Sequence, residues 1–488
     1  MKSNLSFPLP NLPLLSILQK QKVQPSLIAA LSAILLGSSV GIAATFEPGS
    51  AGAGLAALLL GFALLTSTTF GFTLVFALIT LLPFGTLPFK AILTPTFLEL
   101  ALALLLCVWV LRLLARSETY DLRFPPFGFG ILGFLGLTFF SLLLGAGGMP
   151  DSLTLHNYAK FILGVLFYFS VVNCVRTPQQ VRLALQTLLI FGGLMALLGL
   201  IFYALNAETA LRLLTSLGRI GYPTSGRVLR YVEDDPSGLE RAIGTSVDPN
   251  SFGGMLALLS SLAIAQFFTN RPLLSRWLLT GIVGLMVITL LLTFSRAALI
   301  GFGAAMVYLA LLRYRRLWWG ILLVGMLAGV VLSSLGMAEG FAQRFAEGVQ
   351  FQDQAQQMRL AEYQNALNII ARYPLFGIGF GQAPEIDLVA GVSSIYLALA
   401  ERLGLLGLTA FLSLVSAWFG QTFTTLRQPK SEESGWMLGL QAGIVAALTV
   451  GIADHYFFNI EFSHMVTLFW GCLGLGSAIR GLEPEVVI

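Results

Sequence analysis

The amino-acid sequence predicts an all-α membrane protein, a polytopic helical bundle of about 12–14 transmembrane helices with two large extracytoplasmic loops. Three observations lead there. The chain is 56% hydrophobic and only 11% charged, whereas a soluble domain has about a quarter of its residues charged. Its apolar runs are about 17 to 25 residues long, enough for a helix to cross a bilayer. Lys and Arg gather in alternate short loops, as the positive-inside bias requires.

A tail, 1–25, precedes the first apolar run, 26–45. Lys20 and Lys22 before it, and Ala43 and Ala44 at its end, imitate a cleaved signal, but its length and the spans that follow favour an uncleaved anchor. Further runs lie at 51–66, 69–85, 97–114, 126–145, 155–174 and 183–204. The first two of these are short and nearly contiguous, so they are also compatible with one hairpin. A polar stretch, 206–249, separates this N-terminal set (26–205) from a central one (250–334) with runs at 250–268, 277–294, 297–312 and 317–335. A second polar stretch, 335–392, leads to the C-terminal part (393–488), with runs at 393–417, 435–453 and 462–479. There is no internal repeat of the kind found in many secondary transporters.

With the N-terminus inside, Lys20, Lys22, Arg112, Arg116, Arg123, Arg176, Arg182, Arg271, Arg276, Arg313, Arg315, Arg316, Arg427, Lys430 and Arg480 all fall on the cytoplasmic side. Lys90 alone among the short outer loops breaks the pattern. The expected location is therefore the inner (plasma) membrane, with both termini cytoplasmic and both polar stretches outside. The net charge of +4 reflects these loops and does not point to nucleic acid. Cys107, Cys174 and Cys472 lie in or at the ends of apolar runs and read as small core residues.

Local signals organise the two polar stretches. Asp248 followed by Pro249 is a helix start, an N-cap acceptor and then a residue with φ already set. In the second stretch, Leu360, Tyr363, Leu367 and Ile370 recur at helical spacing among Arg359, Glu362, Gln364 and Arg372, which predicts an amphipathic helix at the membrane surface. Pro374, Gly377, Gly379 and Gly381 then turn the chain. These glycines neither follow a strand nor open a helix, so a nucleotide-binding loop is a poor reading.

Ionisable residues in apolar spans are costly and call for a functional hypothesis. Here Glu99, His156, Lys160, Arg296, Asp454, His455 and His464 sit toward the outer ends of their spans. Snorkelling to lipid headgroups is the bland explanation for each alone, while their common side favours a shared outward-facing polar site. His156 and Lys160 share a helical face. Glu401 and Arg402 read as a structural ion pair. The three histidines lack metal-ligand spacing, so no metal is expected. The arginines of the polar stretches, Arg219, Arg227, Arg230, Arg241, Arg344, Arg359 and Arg372, suit bidentate contacts to phosphate.

These motifs together resemble the O-antigen ligase and polymerase family of membrane glycan transferases. The resemblance rests on Arg241 with Asp248, Pro249 and Asn250, on Leu292–Thr293–Phe294–Ser295–Arg296–Ala297, and on Arg359 followed by Ala371 to Phe380. It continues through Tyr396, Leu397, Glu401 and Leu403 to Gly407, and in all it covers about residues 160 to 475. It implies transfer of a glycan from a polyprenyl diphosphate carrier to the hydroxyl of a glycan or glycolipid acceptor outside the inner membrane, with membrane lipid around the site and no metal, nucleotide or other cofactor. It further implies Arg296 and Arg359 as catalytic residues holding the diphosphate, with Arg241 as a third candidate and substrate-binding residue; Lys160, from the shared outward-facing polar site, is also expected to bind substrate. Ser393 and Ser394 stand where the family carries a His and a polar neighbour. Another group must then act as base, and Asp387, Glu385 and His455 are candidates. Two other functions compete. A small-anion transporter or channel would need charges deep in several spans, and a non-catalytic member that binds lipid-linked glycan would account for the missing His.

The topology has a direct check. Cysteines introduced at Arg230 and Gln356 are expected to react with a membrane-impermeant thiol reagent in intact cells, and labelling only after lysis would reverse the assignment.

Overall fold

The computed structural model describes residues 61, 63, 67–87, 94–115, 122–125, 127–322, 326, 354–381, 391–427 and 431–482. The expected spans 26–45 and 51–66, most of 317–335 and the start of the second polar stretch lie outside them. The chain divides into two compact units, Met1–Thr66 and Ser67–Ile488, and all elements named below belong to the second. They are α1 (Thr68–Leu81), α2 (Phe97–Ala115), α3 (Gly128–Leu144), α4 (Ser152–Cys174), α5 (Pro178–Ala204), α6 (Ala207–Ser216), α7 (Pro249–Phe267), α8 (Arg276–Leu292), α9 (Arg296–Leu312), α10 (Gln354–Arg372), α11 (Ile395–Thr422), α12 (Glu432–Val450) and α13 (Ser463–Arg480). The described residues contain no strand, only the isolated bridges Thr86–Thr96 and Tyr231–Glu240.

The protein is thus an all-α polytopic membrane protein. Among the described residues, α4, α5, α7 and α11 are long and apolar enough to cross a membrane. α1, α3, α8, α9 and the Phe97–Leu111 part of α2 are apolar but shorter. One expected start is set by a local cap. Asp248 Oδ1 accepts from the amides of Asn250 and Ser251, both at 2.9 Å, so α7 starts at Pro249 as the dipeptide predicts.

α7 is buried along almost its whole length and packs against α12. Small residues make this approach possible, as in membrane interfaces generally. Gly435, Gly439 and Gly443 recur every four residues along one face of α12, and a Cβ on them would lie 2.5 Å from Thr269, 2.8 Å from Leu262 and 3.1 Å from the Leu258 carbonyl, respectively. The same logic joins α4 to α13, where a Cβ on Gly471 would meet Phe167 at 2.9 Å.

α11 is broken at Gly404, whose φ of 70° and ψ of −178° are non-helical. The break releases backbone groups, and in an apolar bundle each of these requires a partner. The loop after α10 supplies them. Ile378 N donates to Glu401 O (3.0 Å), Gly379 N to Arg402 O (2.9 Å), and Leu405 N to Pro374 O (2.7 Å). α3 closes the arrangement from the other side, since Ser141 Oγ donates to Phe376 O at 3.0 Å. The glycines after Pro374 therefore serve close backbone packing. Arg402 Nη1 donates to Gly379 O (3.2 Å) and Gly381 O (2.8 Å), and Glu401 Oε1 accepts from Gly391 N (2.9 Å). The expected Glu401–Arg402 pair exists at 3.6 Å, but both side chains mainly hold this loop.

The break gives a stability prediction. A Cβ at Gly404 would lie 2.1 Å from Leu375 O, and its backbone region is nearly restricted to glycine. Gly404→Ala is expected to destabilise by at least about 1–3 kcal/mol, read as a lower melting temperature in detergent.

Candidate functional site

One end of the bundle gathers the start of α7, the α8–α9 turn, α10 and the α12–α13 loop. The chain after α6 returns to this end as a hairpin in which Arg241 N donates to Arg230 O (2.8 Å), and Ala242 N then donates to Leu292 O (2.9 Å). That pairing ties the loop to the last residue of α8. Two non-glycine residues here have positive φ, Val247 at 62° and Phe294 at 50°. Such conformations cost about 1–3 kcal/mol each and tend to occur at functional sites. They stand immediately before Asp248 and Ser295, the N-caps of α7 and α9.

Arg241 is held between these two turns. Its Nε donates to Thr293 O at 2.7 Å and its Nη2 to Asn250 Oδ1 at 2.6 Å. Burial lowers its pKa, opposed by Asp248, Tyr456 and Asp454. Arg359, on α10, places Nη2 3.4 Å from Asp454 Oδ1. The Asp454 side chain is 4% exposed and that of Arg359 21%. Burial pushes the Asp454 carboxyl up to about 7, against the pull of Arg359 and Arg241, and Asp248 and Glu362 raise it further. Asp454 Oδ2 is buried and has no hydrogen-bond partner. The result is a compact cluster of two arginines and three carboxylates.

α10 is attached to the chain before α11. Glu362 Oε2 accepts from Ser393 N (3.0 Å), and the Tyr363 hydroxyl donates to Ser393 O (3.2 Å). Its buried residues are Ala366 and Ile369, whereas Leu360 and Leu367, which the helical spacing singled out, are exposed at 41% and 55%. The helix is amphipathic, with Leu360 and Leu367 directed away from protein, as a helix at a membrane surface requires, and Arg359 and Glu362 directed toward protein.

Of the residues expected from sequence, Arg241 and Arg359 come together around Asp454. Arg296 is the first residue of α9, exposed, three positions after the Thr293 that Arg241 grips. A cation at a helix N-terminus opposes the macrodipole, so this position is not explained by helix stability. Lys160 belongs to a separate group. Its Nζ donates to Asn157 Oδ1 at 3.3 Å, with Glu99 as its nearby countercharge, and His156 Nε2 lies 2.9 Å from Glu99 Oε1. His464 is fully buried beside Phe84. Asp387 and Glu385 lie outside the described residues. His455 is near Val392 in the α12–α13 loop. Sequence reasoning treated Asp248 only as a cap and Glu362 only as a polar helix face, and passed over Tyr456. For Tyr456 the signal is Asp454-His455-Tyr456 interrupting an otherwise apolar stretch. Among the described residues no group of His, Cys, Asp and Glu is arranged to hold a metal ion.

Fold and site together define a polytopic membrane protein with a partly buried arginine–carboxylate cluster at one end of its bundle. Residues 281–412 match the family model described as O-antigen ligase, so the resemblance carried by the motifs is borne out. The match covers about a quarter of the chain, including α8, α9, α10 and the break in α11. It contains Arg296 and Arg359, while Arg241 and Asp454 lie on either side of it. No curated protein matches the chain.

The Arg359–Asp454 pair predicts a pH-dependent defect. Removing Arg359 strands a buried charge only while Asp454 is ionised, and ionisation is lost as pH falls through about 7. Without Arg359 the carboxyl titrates higher still and can take up a proton, so Arg359→Ala should lower stability by at most about 1.4 kcal/mol at pH 8, one unit above that value, and by much less at pH 5. The same substitution on an Asp454→Asn background should show no such pH dependence, as thermal unfolding in detergent would reveal.

Proposed function

We propose that the protein is a membrane glycan transferase that moves a glycan from a polyprenyl diphosphate carrier to an acceptor hydroxyl at the outer face of the inner membrane. The observation that carries this reading is the joint placement of Arg241 and Arg359 around buried Asp454, beside a segment that matches the O-antigen ligase family model. As the bond from the anomeric carbon to phosphate breaks, negative charge grows on the diphosphate. Fixed guanidinium groups in a partly desolvated site stabilise that charge more than bulk water does.

The residues divide the task. Arg359 grips the diphosphate and Arg241 reinforces it, while Arg296 brings its charge to the N-terminus of α9, where backbone amides also favour an anion. Asp454 serves as countercharge when the site is empty, so the arginines keep their positions without substrate. Lys160, with Glu99 opposite it, is assigned no part in holding the diphosphate. The exposed Met358, Leu360, Leu367, Leu375 and Phe376 form an apolar flank to Arg359, which suits a carrier whose lipid chain stays in the bilayer. An anion transporter is less well supported, because the charged cluster occupies one end of the bundle rather than a path through it.

The test is release of polyprenyl diphosphate from a lipid-linked oligosaccharide by purified protein. Arg296→Lys and Arg359→Lys are each expected to lower the rate about a hundredfold, since Lys keeps the charge but loses the planar fork. Chelation by EDTA is expected to leave the rate unchanged. Activity abolished by EDTA, with both Lys variants near wild type, would transfer the role of the arginines to a metal ion.

A further inference from the structure

Two groups beside Arg359 keep a buried proton acceptor without a hydrogen-bond partner, Asp454 Oδ2 and His455 Nδ1, and of the two only His455 is not already paired with Arg359. It follows Asp454 directly, in the loop that joins α12 to α13. Its ring packs against Tyr456, with ring centroids 4.8 Å apart, and makes a hydrogen bond to the backbone of Val392, next to Ser393. Nδ1 is enclosed and has no hydrogen-bond partner. A ring that donates one N–H to a backbone carbonyl carries its lone pair on the other nitrogen, so Nδ1 is the proton-accepting atom.

The neighbouring groups have other partners. Asp248 caps α7, Glu362 accepts from Ser393 N, Asp454 holds Arg359, and the Tyr456 hydroxyl is kept protonated by burial and by the adjacent carboxylates Asp248 and Asp454. His156 is bound to Glu99, and His464 is fully buried. The charged and titratable groups that act on His455 are Asp248 from the start of α7, and Glu362 and Arg359 from α10.

We infer that His455 is the general base of the transfer, taking the proton of the acceptor hydroxyl on Nδ1; this rests on the glycan-transfer reading above. The acceptor oxygen forms the new bond to the anomeric carbon as the bond from that carbon to the diphosphate oxygen breaks. The electron pair of the broken bond leaves on the diphosphate, next to Arg359 and Arg241. The proton on Nδ1 then passes to water admitted when the glycan product leaves the site. Nothing is oxidised or reduced and no co-reactant is needed. Burial keeps the imidazole pKa below its ordinary value, so the ring is neutral and able to accept at neutral pH. Activity should therefore fall on the acid side, with a midpoint below that of an ordinary histidine.

The experiment measures polyprenyl diphosphate release in lipid nanodiscs between pH 5 and 9, using a polyprenyl-diphosphate-linked oligosaccharide as both donor and acceptor. Wild type, His455→Gln, His455→Ala and Asp454→Asn are compared, and binding of the same lipid is measured in parallel. The inference expects His455→Gln to bind donor as wild type does, to lose about a hundredfold in rate and to lose the acid limb. It expects added imidazole to restore part of the His455→Ala rate, and the limb to persist in Asp454→Asn. Variants within threefold of wild type and retaining the limb would overturn the assignment while leaving glycan transfer in place. So would loss of rate and donor binding together without imidazole rescue, or disappearance of the limb in Asp454→Asn. A wild type that binds the lipid but releases no polyprenyl diphosphate would instead overturn the transfer reading, and the role of His455 with it.

Discussion

The site depends on the need to satisfy every backbone group in an apolar bundle. The break of α11 at Gly404 leaves amides and carbonyls that no lipid can serve, and the loop from Pro374 to Gly381 is drawn in to pair with them. That loop is continuous with α10, so the pairing also sets where α10 ends and, through it, where Arg359 stands. Ser393 provides a second anchor on the same helix, by way of Glu362 and Tyr363. A residue of the candidate site is thus positioned by hydrogen bonds whose first purpose is structural.

Within the cluster, burial outweighs the opposing pull of the arginines on Asp454. Burial favours the neutral form of Asp454, while Arg359 and Arg241 favour the charged form, and the outcome lies close to physiological pH. A fully exposed pair would stay ionised and contribute little, and a fully enclosed one would need near-perfect pairing. Intermediate burial gives a carboxylate that can neutralise the arginines without binding them irreversibly. The positive-φ conformations at Val247 and Phe294 belong to the same cluster, because they place the caps of α7 and α9 beside Arg241.

Much of the helical architecture was legible because its signals are local. Apolar runs locate α2, α4, α5, α7, α8, α9 and α13 to within a few residues, and the Asp248–Pro249 start follows from capping chemistry alone. The outward face of α10 was legible in Leu360 and Leu367, but the residues through which it packs, Ala366 and Ile369, were not, since two apolar residues among polar ones set no period of their own. The partners of Glu401 and Arg402 were hidden for a related reason, because adjacent charges suggest each other while backbone carbonyls leave no mark in a sequence. Arg241 and Arg359 were singled out individually, but Asp454 as their common neighbour required the three-dimensional fold.

The Arg359–Asp454 contact spans 95 positions in the chain, and this separation has a consequence for biogenesis. Asp454 lies in the loop before α13, the last described helix, so an emerging chain has threaded both arginines long before their countercharge is made. Until α12 and α13 insert, Arg359 has no Asp454 to meet, whereas Arg241 can already bond Asn250 and the Thr293 carbonyl. A chain truncated before that loop therefore keeps the means to hold Arg241 in place but leaves Arg359 without its buried countercharge.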